Sequence, residues 1–201
     1  MSEERATVVV VEDEPDLADL YAAWLEEHYD VHAAYGGEEA LSVIDGLGAV
    51  EVVLLDRRMP DVSGDEVLTA LRDRGVDARI AMVTAVEPDF DIVAMGFDDY
   101  LVKPVSREAL EETVSKLRLR DEYATGVREL FSLASKKALL EAEKSSAELD
   151  ASEEYETLST RIEDHRDDLD STLDRLSESS DLSALYRDLD TEELAPDDVE
   201  D

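Results

Sequence analysis

Short runs of branched apolar residues alternate, over the first 120 residues, with longer segments in which apolar residues recur every three or four positions. The short runs cannot form free-standing helices and predict strands that are buried on both faces. The longer segments predict amphipathic helices. The expected strands are residues 7–11, 30–34, 52–55, 78–84 and 99–102.

Helices are predicted in the intervals between these strands. Pro15 suits a first helical turn, and the helix that it opens is expected to end near His28. Ser106 is expected to cap the helix that follows the last strand. A second helix is predicted from the stripe of Ala40, Leu41, Val43, Ile44 and Leu47. A third is expected to pass through Val67, Leu68 and Leu71 and to stop at Gly75, and a short helix is expected at about 89–95. Strands that alternate with helices predict an α/β fold with a five-stranded, mostly parallel sheet, right-handed connections and helices on both faces.

The pattern changes at about Glu122, after which proline and glycine become rare. One helical face is predicted from Val127, Leu130, Phe131, Ala134 and Ala138. A second face has heptad spacing and consists of Tyr155, Leu158, Ile162, His165, Leu169, Thr172 and Leu176. Possible turn or cap residues lie between the two faces, at 145–146 and 150–152. An antiparallel, coiled-coil-like helical hairpin over about residues 123–180 is therefore expected, and one long helix is the alternative.

The chain is strongly acidic, with 19 Lys and Arg against 54 Asp and Glu and a formal net charge of −35. A disordered acidic tail or adaptation to high salt could each explain this charge. Residues 1–121 contain 11 basic and 29 acidic residues, and residues 122–201 contain 8 and 25. Because the acidity is dense in both parts, adaptation to a high-salt cytoplasm is favoured.

Several classes of protein are disfavoured by what the sequence lacks. It has no cysteine, so disulfides and thiolate metal sites are excluded. The early apolar stretch from Val8 to Val11 is too short for a signal peptide, and no run approaches the roughly 20 apolar residues of a membrane span. A soluble cytoplasmic protein with no membrane partner is expected.

Polar residues follow four of the predicted strands. Glu12 and Asp13 follow the first strand, Asp56 follows the third, Thr84 ends the fourth, and Lys103 follows the fifth. The carboxyl ends of parallel strands meet at one edge of a sheet, so these residues are expected to converge. Three carboxylates so placed would repel one another unless a hard divalent cation lay between them, which points to Mg²⁺. A hydroxyl, an ammonium and backbone N–H groups would complete a site for a phosphoryl group.

Residues 5–120 resemble the receiver domain of two-component response regulators. The matching segments are VVEDE at 10–14, LLDRRMPDVSG at 54–64, MVTA at 82–85 and GFDDYLVKP at 96–104. The resemblance implies a flavodoxin-like, doubly wound domain that serves as a phosphoacceptor, with slow autodephosphorylation as its only enzymatic property.

The resemblance also implies a role for each site residue. Asp56 would accept the phosphoryl group from a phosphohistidine on a sensor histidine kinase. Asp13, Asp56 and the main-chain carbonyl of Arg58 would hold Mg²⁺ directly, with Glu12 acting mainly through water. Lys103 would pair with the phosphoryl group and precede a cis peptide at Pro104. Thr84 and Tyr100 would form the switch pair.

The carboxyl-terminal part resembles the HalX output domain of extremely halophilic archaea. The expected division is a receiver domain at 5–121, a HalX-like hairpin at 122–187 and a disordered acidic tail at 188–201. The hairpin could regulate transcription by binding DNA, dock or dimerise with a protein partner, or be an inert appendage. Its dispersed basic residues make direct DNA contact the less favoured route, namely Arg128, Lys136, Lys137, Lys144, Arg161, Arg166, Arg175 and Arg187.

Overall fold

The computed structural model describes residues 5–178, and the predicted acidic tail at 188–201 lies outside them. Two compact units divide between Arg118 and Leu119. The first unit contains five strands, each a run of mainly apolar residues: β1 Thr7–Val11, β2 Asp30–Ala34, β3 Val52–Leu55, β4 Arg79–Thr84 and β5 Asp99–Val102. These bounds agree with the predicted strands to within one residue.

The strands form one parallel sheet in the order β2-β1-β3-β4-β5. The chain therefore starts in an interior strand, adds β2 on one side and then continues through β3, β4 and β5 on the other. The predicted doubly wound, five-stranded α/β fold is confirmed. The reversal of strand order beside β1 is the place where open α/β sheets form a crevice at their carboxyl ends.

The helices begin where local chemistry satisfies their first N–H groups. In α1 (Pro15–Leu25) the proline occupies the first turn. α2 is Gly37–Leu47. In α3 (Gly64–Asp73), Ser63 and Glu66 form a capping box. The hydroxyl of Ser106 accepts a hydrogen bond from Ala109 N at the start of α4 (Arg107–Glu143), as predicted.

Alternation along the strands divides the core of this unit into two layers. One layer contains Val9, Val53 and Ile80 on the face that α2 and α3 cover. The other contains alternate strand residues, such as Val10 and Leu54, with residues of α1 and the first turns of α4. Because the interior strands are buried on both faces, the central residues of β1, β3 and β4 are all apolar.

Two predicted helices are shorter than expected. α1 ends at Leu25 rather than near His28, because bonds from the N–H groups of His28 and Tyr29 to Leu25 O tighten the chain into a turn before β2. The helix expected at about 89–95 is a 3₁₀ helix, Phe90–Ala94. Its backbone bonds join residues three apart, which is typical of short helical segments.

The second unit is a helical hairpin, so the alternative of one long helix is wrong. α4 runs without interruption into its first arm, and a single turn, α5 (Ser146–Leu149), leads to the second arm, α6 (Glu153–Glu178). Ser145 and Glu148 form a capping box, and Ser152 Oγ accepts a hydrogen bond from Tyr155 N. The chain reverses at the turn residues that the sequence predicted.

Contacts between the two arms show an antiparallel arrangement. The hydroxyl of Tyr155 donates to Glu141 at 2.6 Å, and His165 Nε2 lies 3.5 Å from a carboxylate oxygen of Glu129. Nearer the open end, Leu119 and Leu176 share a small apolar cluster. Residues later in α6 thus contact residues earlier in α4, as expected for the two antiparallel arms of a hairpin.

The predicted apolar face of the second arm lies inward, whereas that of the first arm is partly wrong. All seven heptad residues of α6 are buried or half-buried. On α4, however, Phe131 is 64% exposed and Ala138 is also exposed. The predicted Val127, Leu130 and Ala134 are half-buried, and with the half-buried Tyr123 they alternate in steps of four and three, as in a coiled coil. Leu133, next to them, is buried.

Candidate functional site

The register of the sheet places Glu12 and Asp56 side by side at the edge formed by the carboxyl ends of the strands. Val11 is paired with Leu55, so the residues that follow each of them leave the sheet together. The N–H of Asp56 donates to Val11 O at 2.9 Å, and the N–H of Glu12 donates to Ala34 O at 3.0 Å. Main-chain bonds beyond the strand ends therefore fix the directions in which these residues project.

Three carboxylates converge at this edge. Glu12, Asp13 and Asp56 each offer an oxygen, and all three oxygens lie within 4.8 Å of one another. Glu12 and Asp56 are buried, and Asp13 is half-buried. Three negative charges at this spacing repel strongly outside bulk water, so the cluster calls for a cation.

Lys103 supplies one cation in the structure. Its Nζ donates to Glu12 Oε2 at 2.5 Å and to Asp56 Oδ2 at 3.1 Å. The residue directly follows β5, where its own N–H donates to Thr84 O, and the Lys103–Pro104 peptide is cis, as predicted. A side chain from the edge strand thus reaches the carboxylates of two interior strand ends.

Burial and pairing together set the protonation of this cluster. Burial raises the pKa of Glu12, the Lys103 ammonium offsets part of that rise, and the negative charge of Asp56 adds to it. For Lys103, burial lowers the pKa, but its hydrogen bonds to Glu12 and Asp56 and the charges of both carboxylates outweigh burial and raise it. Lys103 therefore remains a cation between the two carboxylates.

The donor set suits a magnesium ion. Glu12 Oε1 is buried and has no hydrogen-bond partner within the described part of the chain. A buried carboxylate oxygen without a partner is costly and is satisfied by a cation or by an ordered water on one. Hard carboxylate oxygens without nitrogen or sulfur ligands favour Mg²⁺.

Thr84 and Tyr100 are linked through one main-chain residue. The N–H of Val86 donates to Thr84 Oγ1 at 3.3 Å, and the hydroxyl of Tyr100 donates to Val86 O at 2.8 Å. Thr84 is fully buried, whereas Tyr100 is half-buried and packs against Phe97. The sequence predicted Thr84 and Tyr100 but missed Val86, because main-chain hydrogen bonding leaves no signal in a side chain.

An open cavity of about 630 Å³ lies between the loops that follow β3 and β4, and Arg58, Ser63, Val86 and Glu87 contribute to its lining. The N–H of Arg58 lies 3.4 Å from Asp56 Oδ1, and its side chain is exposed. The main chain that follows Asp56 therefore borders this cavity.

Gly64 also shapes the site, although its role is not evident from the sequence motifs. A Cβ atom at this position would lie 2.1 Å from Asp56 O and 2.8 Å from Arg57 Cα. The start of α3 therefore packs directly against the backbone of the phosphoacceptor candidate, and Gly64 N donates to Arg57 O at 2.9 Å. Its place just after the cap residue Ser63 was the available signal.

Comparison with known proteins identifies the first unit. The family model of the response regulator receiver domain matches residues 8–115. The chain belongs to the response regulator receiver family. Receiver domains are regulatory phosphoacceptors of two-component systems that interact with histidine kinases and bind Mg²⁺ at an acidic pocket. A HalX domain follows the receiver domain, and its family model matches residues 119–186.

Curated relatives of this receiver protein are named as regulators of transcription. A Haloferax volcanii protein named "Putative transcriptional regulator" is 48% identical over 191 residues, which are 90% of this chain and 32% of that protein. The regulatory protein TrcR of Mycobacterium tuberculosis is 39% identical over 115 residues, or 55% of this chain and 43% of TrcR. The chain thus spans between about a third and a half of the length of these relatives.

Solved structures show the same receiver fold. A Francisella response regulator receiver domain is 28% identical, with a TM-score of 0.54 over 58% of this chain and 98% of that one. The chemotaxis protein CheY4 of Vibrio cholerae is 27% identical, with a TM-score of 0.53 over 56% and 98%. Among residues 5–178, no helix has both the length and the apolar character needed to cross a bilayer.

Proposed function

We propose that the chain is the response regulator of a two-component phosphorelay in which Asp56 accepts a phosphoryl group from a phosphohistidine on a sensor histidine kinase. One observation carries this proposal. Asp56 is a buried carboxylate at the sheet edge, it contacts the Lys103 ammonium, and it lies among the oxygens of Glu12 and Asp13.

The proposed reaction is displacement at phosphorus by a carboxylate. An oxygen of Asp56 forms a bond to phosphorus while the bond between phosphorus and the imidazole nitrogen breaks. The electron pair stays on the imidazole, and the product on this chain is an acyl phosphate. Lys103 already contacts Asp56 at 3.1 Å, so a small movement lets its charge neutralise the phosphoryl oxygens.

Asp13, Asp56 and the main-chain carbonyl of Arg58 would hold Mg²⁺, with Glu12 acting through water. The unpartnered Oε1 of Glu12 supports this assignment. When bound, the ion would neutralise charge on the phosphoryl oxygens and help to orient them. Lys103 occupies part of the same cluster, so its contacts with Glu12 and Asp56 would rearrange as the site is filled.

The proposed switch couples the phosphoryl group to the surface near β5. Thr84 would turn its hydroxyl toward the phosphoryl oxygens, which weakens its bond with Val86 N. Tyr100 bonds to the carbonyl of the same Val86, so its ring would turn inward as that residue shifts. Apart from slow hydrolysis of the acyl phosphate, we assign no enzymatic activity.

Control of transcription is the proposed output. The proposed domains are a receiver domain at 5–121, an output hairpin at 122–187 and a tail at 188–201. The names of the Haloferax and Mycobacterium relatives support it. Because the basic residues of the hairpin are scattered among many acids, direct contact with DNA is the less favoured route. Binding to a protein partner is the alternative.

Replacement of the acceptor tests the phosphorelay role. Wild-type protein incubated with Mg²⁺ and a small phosphodonor such as acetyl phosphate should gain the mass of one phosphoryl group. Asp56→Asn should gain none, because an amide cannot form the acyl phosphate. Asp73→Asn, which changes an exposed aspartate at the end of α3, is the matched control and should be labelled like wild type. Undiminished labelling of Asp56→Asn would refute the assignment.

Gel shifts in molar KCl, with and without phosphodonor, distinguish the two output routes. A shift of promoter DNA that depends on phosphorylation supports direct DNA contact. Unchanged DNA mobility, together with a phosphorylation-dependent change in a protein complex, supports the protein-interaction route. High salt is essential in both arms, since binding driven by phosphate contacts weakens steeply with salt.

A further inference from the structure

An exposed apolar face lies on the first arm of the hairpin. It consists of Phe131, Ser135, Ala138, Leu139 and Ala142, and all five residues are exposed. Phe131 is 64% exposed and Leu139 is 65% exposed. Positions 131, 135, 138 and 142 alternate in steps of four and three, which is the spacing of a coiled-coil seam. α4 therefore has a second seam besides the one that faces α6.

The charge around this face is unlike that of the rest of the chain. Residues 130–140 contain no acidic residue and two lysines, in a chain with 54 acids and a net charge of −35. No other run of the sequence is free of acids for as many residues. Lys136, in the middle of this run, is exposed. The face is thus both the least acidic and one of the most apolar parts of the hairpin surface.

Ser135, the polar residue of this face, does not need water as a hydrogen-bond partner. Ser135 Oγ donates to Phe131 O at 2.8 Å, so its hydroxyl is satisfied inside its own helix. Covering the face would therefore remove apolar surface from water without leaving that hydroxyl unpaired.

We propose that this face is the contact between two copies of the chain, joined by a two-fold axis that passes near Ser135. Small side chains at Ser135 and Ala138 let two helices approach closely, and Phe131 and Leu139 fill the space around them.

The distribution of charge favours a second copy of the chain as the partner that covers this face. Two chains of net charge −35 repel each other across most of their surfaces, whereas the acid-free run keeps carboxylates out of the centre of the contact, with Glu129 and Glu141 at its two ends. Lys136 of each copy is attracted by the acidic remainder of the other. The contact uses hairpin residues alone, so it forms without a phosphoryl group and does not depend on the proposed role of Asp56.

Light scattering of the full chain in molar KCl measures the predicted assembly. Unphosphorylated wild-type protein should have twice the 22.3 kDa mass of one chain. Phe131→Ser combined with Leu139→Ser should raise the dimer dissociation constant about 100-fold, because the two large apolar contacts are lost. Its helical circular dichroism should not change, since both side chains are exposed. A monomeric wild type, with the face covered by another part of the same chain or by a different protein, would overturn the proposal.

A matched control distinguishes this face from general apolar association. Phe90 and Val93, on the 3₁₀ helix of the receiver domain, are 91% and 84% exposed. Phe90→Ser combined with Val93→Ser should leave the dimer intact. If this control dissociates the dimer as much as the hairpin variant does, the contact is not specific to α4 and the proposal fails.

Cysteine cross-linking locates the contact even if the double variant does not fold. The chain has no native cysteine. Under a mild thiol oxidant such as diamide, Ser135→Cys should form a disulfide-linked dimer, because the two-fold axis brings the equivalent Cα atoms within the roughly 4.4–6.8 Å that a disulfide spans. Ser171→Cys, on an exposed position of α6, should stay uncross-linked. Equal cross-linking at both positions, or none at Ser135→Cys, would contradict a contact centred on α4.

Discussion

Lys103 balances the charge of two buried carboxylates, Glu12 and Asp56, in the structure. The sequence placed this residue at a strand end, and its resemblance to receiver domains suggested a partner that would be present only after phosphorylation. The structure gives it two earlier partners, Glu12 and Asp56. The same charge therefore stabilises the carboxylates and lies where the proposed phosphoryl transfer would need it.

Lys103→Met should destabilise the receiver domain in Mg²⁺-free buffer by about 3–5 kcal/mol, because it leaves buried carboxylates without their cation. Urea unfolding with and without Mg²⁺ measures this loss, and added Mg²⁺ should restore part of it. Lys116→Met is the control, since Lys116 pairs with the exposed Glu112 on the surface of α4 and should cost less than about 1 kcal/mol. Equal losses in the two variants would show that the buried pairs do not stabilise the domain.

The main-chain carbonyl of Arg58, and not its side chain, should contribute to Mg²⁺ affinity. Arg58→Ala keeps the carbonyl, so its Mg²⁺ affinity measured by calorimetry should stay within about twofold of wild type, whereas Asp13→Asn, which removes a proposed direct ligand, should lose about tenfold or more. A large loss of affinity in Arg58→Ala would show that its side chain takes part in binding.

At the scale of structural elements, the start of α3 packs closely against the backbone of Asp56 and Arg57. Gly64→Ala would drive a methyl group into the backbone of Asp56 and Arg57, and should cost about 1–3 kcal/mol while slowing phosphorylation. Gly46→Ala is the control, because nothing lies within 4 Å of its added methyl in α2, and it should gain about 0.4–1 kcal/mol. Thermal unfolding and the initial rate of labelling measure both effects. If Gly64→Ala is destabilised but is labelled at the normal rate, the close packing at Gly64 affects stability and not phosphorylation, contrary to the prediction.

Strand positions were predictable because buried parallel strands need uninterrupted apolar residues. β3 is the clearest case, since Val52–Leu55 ends where Asp56 leaves the core. The convergence of Glu12, Asp56 and Lys103 also followed from strand order, although their distances did not. Main-chain contacts at Val86 and Gly64 could not be predicted in this way, because they depend on how loops close in three dimensions.

The register of α4 was harder to predict because this helix carries two apolar seams. The face predicted from the sequence contains Leu130, which is half-buried, together with Phe131 and Ala138, which are exposed. Neighbouring positions on a helix point about 100° apart, so a face assembled from both seams mixes inward and outward residues. Only the contacts of α6 reveal which seam is covered.

At the scale of the whole molecule, acidic residues are abundant on the surface, whereas the receiver site depends on one half-buried cation, Lys103. Exposed carboxylates in both units repel one another over long distances in dilute buffer. The contacts of Lys103 with Glu12 and Asp56 are buried and short, so dissolved salt screens them much less. Salt should therefore act on the stability of the fold more than on the charge balance of the site.

Stability should rise steeply with KCl, because a Debye length of roughly 3 Å near 1 M removes most of the repulsion within a chain of net charge −35. The midpoint of thermal unfolding, followed by circular dichroism, should increase between 0.1 and about 2 M KCl. Sucrose at matched osmolality is the control for general exclusion from the protein surface and should give a smaller increase. Equal stabilisation by sucrose would contradict charge screening as the cause. Lys103→Met should remain less stable than wild type at every salt concentration, since its lost contacts are buried.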